Sequence, residues 1–147
     1  MKSWTDLNRV WPENYAELRK SRNLAAIRKD ARMNVINGKD RYMLWEYMVH
    51  NDYLSVAIVK MAVGAYADPQ EFDGDMLIMP LNADLVVRVP KPEFESDDDA
   101  LFSSFEVMKG EKLYLPAHTY HQFINFEATP LEIYVAISNW KEESSVK

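Results

Sequence analysis

The chain has 147 residues, of which 48% are hydrophobic and 27% charged, and these proportions are typical of one globular domain. Its formal net charge of -6 argues against nucleic acid or an anionic membrane surface as the main partner, because both favour a basic face. The absence of cysteine excludes disulfides and thiolate chemistry. No segment approaches the ~20 apolar residues that a membrane span needs. We therefore expect a cytoplasmic protein with a single domain over residues 1–147.

Residues 1–36 predict a helical N-terminal segment. Apolar residues recur at roughly helical spacing over Leu18–Ala31, with Arg and Lys between them. Pro12 predicts a break near the start, which would divide the helix over residues 4–33 into two pieces. We expect an amphipathic helix that lies across a sheet. An Asn-Gly dipeptide then marks a tight turn at Gly38.

From residue 40 to residue 140 the hydrophobic pattern changes to that of β-strands. The polar triplet that begins at His50 is typical of a hairpin turn, which predicts a solvated histidine. Short strands separated by turn residues indicate an antiparallel sandwich or barrel. The predicted strands are Tyr42–Val49, Tyr53–Met61, Met76–Met79, Asp84–Val89, Leu101–Val107, Lys112–Leu115, Thr119–Asn125 and Leu131–Ile137.

The segment Gly110–Asn125, GEKLYLPAHTYHQFIN, carries two of the three histidines of the chain. Gly110 supplies a backbone conformation that other residues avoid, and Pro116 ends a strand. A small barrel turns a corner in this way and directs an imidazole, here that of His121, into its mouth. There the imidazole can bind a metal, transfer a proton or hold an anion.

This segment resembles the second motif of the cupin superfamily. In that motif a glycine, five residues, a proline, one residue, a glycine, two residues, a histidine, three residues and an asparagine follow in order. Four of the five fixed positions match, namely Gly110, Pro116, His121 and Asn125. His118 stands in place of the inner glycine. The resemblance implies a mainly β fold, a small antiparallel cupin-type barrel or jelly roll with an N-terminal helical segment.

Metal-binding cupins usually supply three more ligands from an earlier motif. Placed with its closing glycine at Ala83, that motif puts its ligand positions on Gln70, Phe72 and Met76, none of which is a histidine or a carboxylate. Of the expected ligands only His121 is kept, so no cofactor is predicted. A weakly bound divalent metal is the alternative, with a rebuilt set of ligands from His118, His121, Asp73 and Asp75.

Within the cupins, the chain resembles the ureidoglycolate lyase family, formerly called ureidoglycolate hydrolase, whose members also lack the paired histidines of the first motif. The run MLIMPLNADLVVRVP looks like that family's apolar strand, proline, turn and valine-rich strand, with Pro80 matching the proline. Gly74 falls where the family has a glycine. The run HTYH resembles the family's Asn-Val-Trp-His run, with Tyr120 for the tryptophan and His121 for the histidine. The likeness covers roughly residues 53–138.

The resemblance implies a reaction of purine catabolism, in which urea is eliminated from ureidoglycolate and glyoxylate remains, or the conversion of a similar small hydroxy or ureido acid. His121 is the expected general base, and His118 is the expected acid or orienting donor. Arg88 and Lys60 are the candidates to bind the substrate carboxylate, since both are cations on predicted strands. Two further candidates for substrate contacts are Tyr120 and Asn125.

Two other functions remain open. One is a metal-dependent cupin isomerase or oxygenase. The other is a non-catalytic cupin in which Arg88 and His121 hold a small molecule. The expected partners are a small carboxylate substrate and a second copy of the chain, because a homodimer would cover exposed edge strands and the resembled families are commonly dimeric.

Overall fold

The computed structural model describes residues 10–22, 24–28, 31–37, 43–67, 69–90 and 102–139. Within these ranges the chain forms two antiparallel sheets, with the strand orders β1-β2-β3-β9-β4-β7 and β6-β5-β8. No helix of these ranges has the length and apolar character needed to cross a lipid bilayer. The elements are α1 (Tyr15–Ser21), β1 (Met33–Asn37), β2 (Met43–His50), β3 (Leu54–Met61), β4 (Met76–Pro80), β5 (Leu85–Pro90), β6 (Phe102–Val107), β7 (Leu113–Leu115), β8 (Gln122–Ile124) and β9 (Leu131–Ser138).

The prediction of a mainly β, antiparallel fold is confirmed, and each predicted strand is present with small differences at its ends. The alternation of the sequence decides which side chains face inward, because successive side chains of a strand point to opposite faces. Val59 and Met61 of β3 are buried, for example, while Lys60 between them is half-exposed. The inward faces of the sheets form one core, whose largest fully buried side chains include Trp45 and Tyr47.

The prediction of a long N-terminal helix is wrong. Helix α1 has 7 residues and no buried side chain, and Arg22 ends it with a left-handed backbone at φ 59. Leu24, which was expected on the apolar face of the helix, is fully exposed. Residues 33–37 form strand β1, which pairs with β2, although the predicted helical segment extended to residue 36.

The prediction that His50 lies in a solvated turn is also wrong, since His50 is the buried last residue of β2. The pairing of β2 with β3 shifts register between Tyr47 and Val49. Such a bulge inserts one residue and reverses the faces of those that follow, which turns His50 inward. The main chains of Trp11 and His50 exchange two hydrogen bonds of 2.8 and 2.7 Å, so the chain just before α1 pairs with the end of β2.

Two short irregular stretches, residues 65–67 and 69–70, continue the smaller sheet beyond β8. The Ala67 N–H donates to the Phe123 carbonyl at 2.9 Å. Gln70 and His121 form a bridge in which each N–H donates to the other's carbonyl, at 2.7 and 2.9 Å. This pairing brings the loop that follows residue 70 to the side of His121.

Candidate functional site

His121 is buried, with 2% of its surface exposed, and directly precedes β8. Its Nδ1 lies 2.8 Å from the Thr119 carbonyl oxygen. Because a carbonyl only accepts hydrogen bonds, Nδ1 carries the proton and Nε2 carries the lone pair in the neutral ring. Nε2 is buried and has no hydrogen-bond partner among the residues that the structure describes. The site therefore presents one oriented and unsatisfied acceptor inside the barrel.

Burial lowers the pKa of His121 below its ordinary value of 6.5, and the hydrogen bond to the Thr119 carbonyl acts in the opposite direction with a smaller effect. The ring is therefore neutral near pH 7. A neutral imidazole with its proton held on Nδ1 can take a proton, accept a hydrogen bond or bind a metal through Nε2.

Aromatic rings surround this acceptor and continue along the interior. The ring centroids of Phe123 and Phe72 lie 5.2 and 5.8 Å from that of His121. Phe72 is 5.9 Å from Trp45, which stacks on Tyr47 at 5.7 Å. Besides the Tyr47 hydroxyl and the Trp45 indole nitrogen, the buried polar side chains of the described residues are those of two histidines, a serine, a glutamine and an asparagine. None of them is a carboxylate, a lysine or an arginine.

The three positions that the sequence aligned with the ligands of the first cupin motif cluster on this side of the core. The Gln70 backbone is bonded to that of His121, the Phe72 ring faces the imidazole, and Met76 is 2% exposed. These positions supply an amide, a phenyl ring and a thioether. A transition metal prefers several histidine, thiolate or carboxylate donors, so this donor set does not fit a cupin metal centre.

His118 has a left-handed backbone with φ 67, and Gly110 has φ 84. Both glycine positions of the second cupin motif thus keep the backbone that glycine favours, although one carries an imidazole. The His118 side chain is 63% exposed, with Nδ1 3.7 Å from Glu71 and 3.8 Å from Asp73. The structure therefore places His118 outside the barrel beside two carboxylates, in contrast to the buried His121.

Asp75 stabilises the loop before His118 through two hydrogen bonds. Its two carboxylate oxygens accept hydrogen bonds from the Tyr114 hydroxyl and the Ala117 N–H, each at 2.8 Å, and these bonds lower the pKa of Asp75. Neighbouring Gly74 packs on the main chain, since a Cβ there would lie 1.5 Å from the Ser138 carbonyl oxygen. Among the described residues, no group of three histidines or carboxylates is close enough to hold a metal. The alternative metal ligands predicted from the sequence, His118, His121, Asp73 and Asp75, are therefore not brought together as one site.

The structure does not bring the two predicted carboxylate ligands together with His121. Lys60 lies on the outer face of β3, where its Nζ is 3.2 Å from the Glu46 carboxylate. Arg88 lies on the face of β5 opposite buried Val87, and it donates to the Gln122 Oε1 at 3.3 Å. Since side chains alternate, both cations point away from the interior that His121 faces.

The other two predicted substrate contacts are also placed. Tyr120 is 41% exposed and is directed away from the buried neighbour that follows it. Asn125 is fully buried, and its Nδ2 donates to the carbonyls of Ala62 and Thr129 at 2.9 and 3.0 Å. Its Oδ1 accepts from the Glu127 N–H at 2.9 Å. Asn125 therefore uses its amide to hold two turns together.

Known structures are similar to this chain in fold. A cupin superfamily protein from Desulfitobacterium hafniense has a TM-score of 0.50 and 15% identity, and the match covers 78% of this chain and 83% of that one. A polyketide cyclase from Streptomyces resistomycificus has a TM-score of 0.60 and 12% identity over 80% and 81% of the two chains. A cupin domain from Bordetella pertussis has a TM-score of 0.50 and 12% identity over 77% and 98%. At these identities the likeness shows the fold alone.

The chain therefore has the cupin fold, as the spacing of the Gly110–Asn125 segment indicated. No protein-family model matches the sequence, and no curated protein is similar to it. The proteins that share the fold include an enzyme, the polyketide cyclase, and a protein of unknown function from Streptococcus pyogenes. The reaction must accordingly be argued from the site.

Proposed function

We propose that this chain is a cupin-fold enzyme in which His121 acts as a general base on a small molecule bound between the sheets. The proposal rests on the buried Nε2 of His121, which has no hydrogen-bond partner among the described residues. An unsatisfied buried polar atom costs about 1–3 kcal/mol, so its retention is typical of a group that has a partner during function.

The surroundings of His121 suit it to proton transfer. Burial keeps the imidazole neutral at pH 7, so Nε2 is already in the form that accepts a proton. When Nε2 takes a proton, the charge of the imidazolium strengthens the hydrogen bond from Nδ1 to the Thr119 carbonyl. Thr119 thus orients the ring before the transfer and stabilises the charged ring after it.

The family resemblance gives this proposal its most specific form, ureidoglycolate lyase. His121 would take the proton of the substrate hydroxyl, a C=O bond would form as the C–N bond breaks, and the proton held on Nε2 would pass to the departing urea nitrogen. The carboxylate of this substrate needs a cation, and Arg88 and Lys60 lie on outer faces. We therefore propose the proton transfer itself and treat ureidoglycolate as the first substrate to test.

The test is glyoxylate release from ureidoglycolate by the wild-type chain and by His121→Gln, each with and without a chelator. General-base catalysis predicts chelator-insensitive release that the substitution lowers about 10²–10⁴-fold. Lys20→Gln is the matched control, because Lys20 is an exposed residue of α1, a helix with no buried side chain, and we expect unchanged release. Release that His121→Gln leaves intact would show that the base is another residue.

Two alternatives have their own outcomes in the same assay. Release that the chelator abolishes would favour a metal-dependent cupin enzyme. No release from any tested hydroxy or ureido acid, with small-molecule binding preserved, would favour a non-catalytic binding protein.

A further inference from the structure

We infer that Asp75 is a positioning residue for His121, and that it acts through the turn Pro116–Thr119, whose last carbonyl holds the Nδ1 proton. The inference rests on the proposed function for the role of His121 as a base. It adds the residue that keeps the imidazole in the tautomer that this role requires.

The pairing of β4 fixes Asp75 beside this turn. Met76 lies opposite Leu115 in the antiparallel register of β4 and β7, so the residue before Met76 lies across from the residue after Leu115. The main chain of Asp75 is held as well, because its carbonyl accepts a hydrogen bond from the Ser138 N–H at 3.0 Å. The Asp75 carboxylate therefore meets the turn at a position that the sheet determines.

One peptide unit connects the carboxylate to Thr119. The Ala117 N–H of this unit donates to the Asp75 carboxylate at 2.8 Å. The Pro116 carbonyl of the same unit accepts from the Thr119 hydroxyl at 2.6 Å. Hydrogen bonds in a chain polarise one another and become stronger. Bonds from the Tyr114 hydroxyl and the Ala117 N–H lower the pKa of Asp75, so it is ionised at neutral pH and strengthens this chain.

The turn needs these bonds because its backbone is strained. The Thr119 N–H donates to the Pro116 carbonyl at 3.3 Å, and His118 at the third position is left-handed with φ 67. A left-handed third residue is typical of a type II turn, in which glycine is favoured there. A turn that relaxed from this conformation would move the Thr119 carbonyl away from His121.

The last link is the contact of 2.8 Å between the His121 Nδ1 and the Thr119 carbonyl oxygen. It keeps the proton on Nδ1 and leaves the lone pair on the buried Nε2. An imidazole without this acceptor would carry its proton on either nitrogen, and a ring protonated on Nε2 cannot take a proton there. Asp75 thus selects the form of His121 that acts as a base.

The experiment measures, by NMR of the nitrogen-15-labelled chain, how fast the Nδ1 proton of His121 exchanges with water. We expect Asp75→Ala to speed this exchange about 2- to 12-fold, the effect of about one hydrogen bond. Asp75→Asn keeps an oxygen that can accept from the Ala117 N–H and should restore slow exchange. Asp84→Ala is the matched control, because the Asp84 carboxylate accepts the Lys109 N–H at 2.7 Å in another loop, and it should leave the exchange unchanged.

Two further measurements separate positioning from a general loss of stability. The main-chain amides of β3 and β9 should exchange at the same rate in Asp75→Ala as in the wild-type chain. Thr119→Val removes the hydroxyl and keeps the shape, and it should also speed exchange of the His121 proton. Because both residues act through one turn, the double variant should exchange no faster than the faster single variant.

Four results would overturn the inference: equal exchange in Asp75→Ala and the wild-type chain, an acceleration shared by the amides of β3 and β9, effects of Asp75→Ala and Thr119→Val that multiply, or a wild-type Nδ1 proton that exchanges too fast to be seen. The exchange measurement needs no substrate. Absence of glyoxylate release from ureidoglycolate would therefore defeat only the proposed function.

Discussion

Two buried histidines, His50 and His121, lie at different ends of one row of aromatic rings. The Nδ1 of His50 lies 2.7 Å from the Ser55 hydroxyl oxygen, and the Asn139 side-chain amide donates a hydrogen bond to the same oxygen at 2.7 Å. The Tyr47 ring packs against His50 at 4.9 Å, and the Trp11 main chain covers it. His50 is thus tied to the residues around it.

His121 is more deeply buried than His50, yet only one of its nitrogens has a hydrogen-bond partner in the described part of the chain. Burial lowers the pKa of both histidines, so neither burial nor the pKa separates a structural imidazole from a functional one. What separates them is a buried ring nitrogen without a partner among the described residues, which His121 has in its Nε2 and His50 does not have. The comparison identifies His50 as part of the scaffold and His121 as the candidate for chemistry.

The largest expected difference between the two histidines is in their contribution to the free energy of unfolding. His50→Phe removes the hydrogen bond between Nδ1 and the buried Ser55 hydroxyl, which should lower the free energy of unfolding by about 1–3 kcal/mol. His121→Phe loses one hydrogen bond to a carbonyl, worth about 0.5–1.5 kcal/mol, and part of this loss is offset because an unsatisfied nitrogen is removed. Urea denaturation of both variants measures the difference. If His121→Phe proved the less stable of the two, His121 would be the structural residue.

A second effect is the pH dependence of unfolding. Because both pKa values are lowered in the folded state, the unfolded chain binds more protons below its histidine pKa of about 6.5. The stability is therefore complete above that pH and falls as the pH decreases toward the folded pKa values, by at most about 1.4 kcal/mol per pH unit for each histidine. Unfolding curves from pH 7.5 down to about pH 5 measure the slope. Each Phe variant should reduce it, and a slope that neither variant changes would refute the assignment.

The smallest effect concerns the third, exposed histidine. His118→Gly should raise the free energy of unfolding by about 0.5–1 kcal/mol relative to His118→Ala, because glycine adopts the left-handed backbone at residue 118 without steric cost. The alanine variant is the matched control, since it removes the same imidazole and its weak surface contacts with Glu71 and Asp73. Thermal unfolding compares the two. A glycine variant that is less stable than the alanine variant would mean that the φ value is not a source of strain.

Much of the fold could be predicted from the sequence because strand alternation and turn residues are local signals. The strands from Met43 to Ser138 agree with the prediction for this reason. The segment before them could not be predicted in the same way. The apolar spacing over Leu18–Ala31 is also typical of a helix, and only pairing with β2 makes residues 33–37 a strand. The register shift after Tyr47, which buries His50, likewise depends on the partner strand.

For the candidate site, the sequence identified His121 and its motif because the turn chemistry of that segment is specific. The sequence analysis did not recognise that Lys60 points away from the interior that His121 faces. The alternation of side chains along a strand could have shown this, because Lys60 lies between two apolar residues that face the core. The role of Phe72 as the ring beside His121 was missed as well. The alignment of the first cupin motif had placed Phe72 at a ligand position, and this alignment could have predicted that its side chain lies beside His121.

Gly74 has a consequence for how distant relatives of this chain could be recognised. The cupin structures described above share only 12–15% identity with it, a level at which whole-chain alignment carries little information. A side chain at residue 74 would run into the Ser138 carbonyl, so glycine there is required by the backbone whatever the substrate. A search pattern that joins this glycine to His121 and Asn125 would therefore select for shared architecture before shared chemistry.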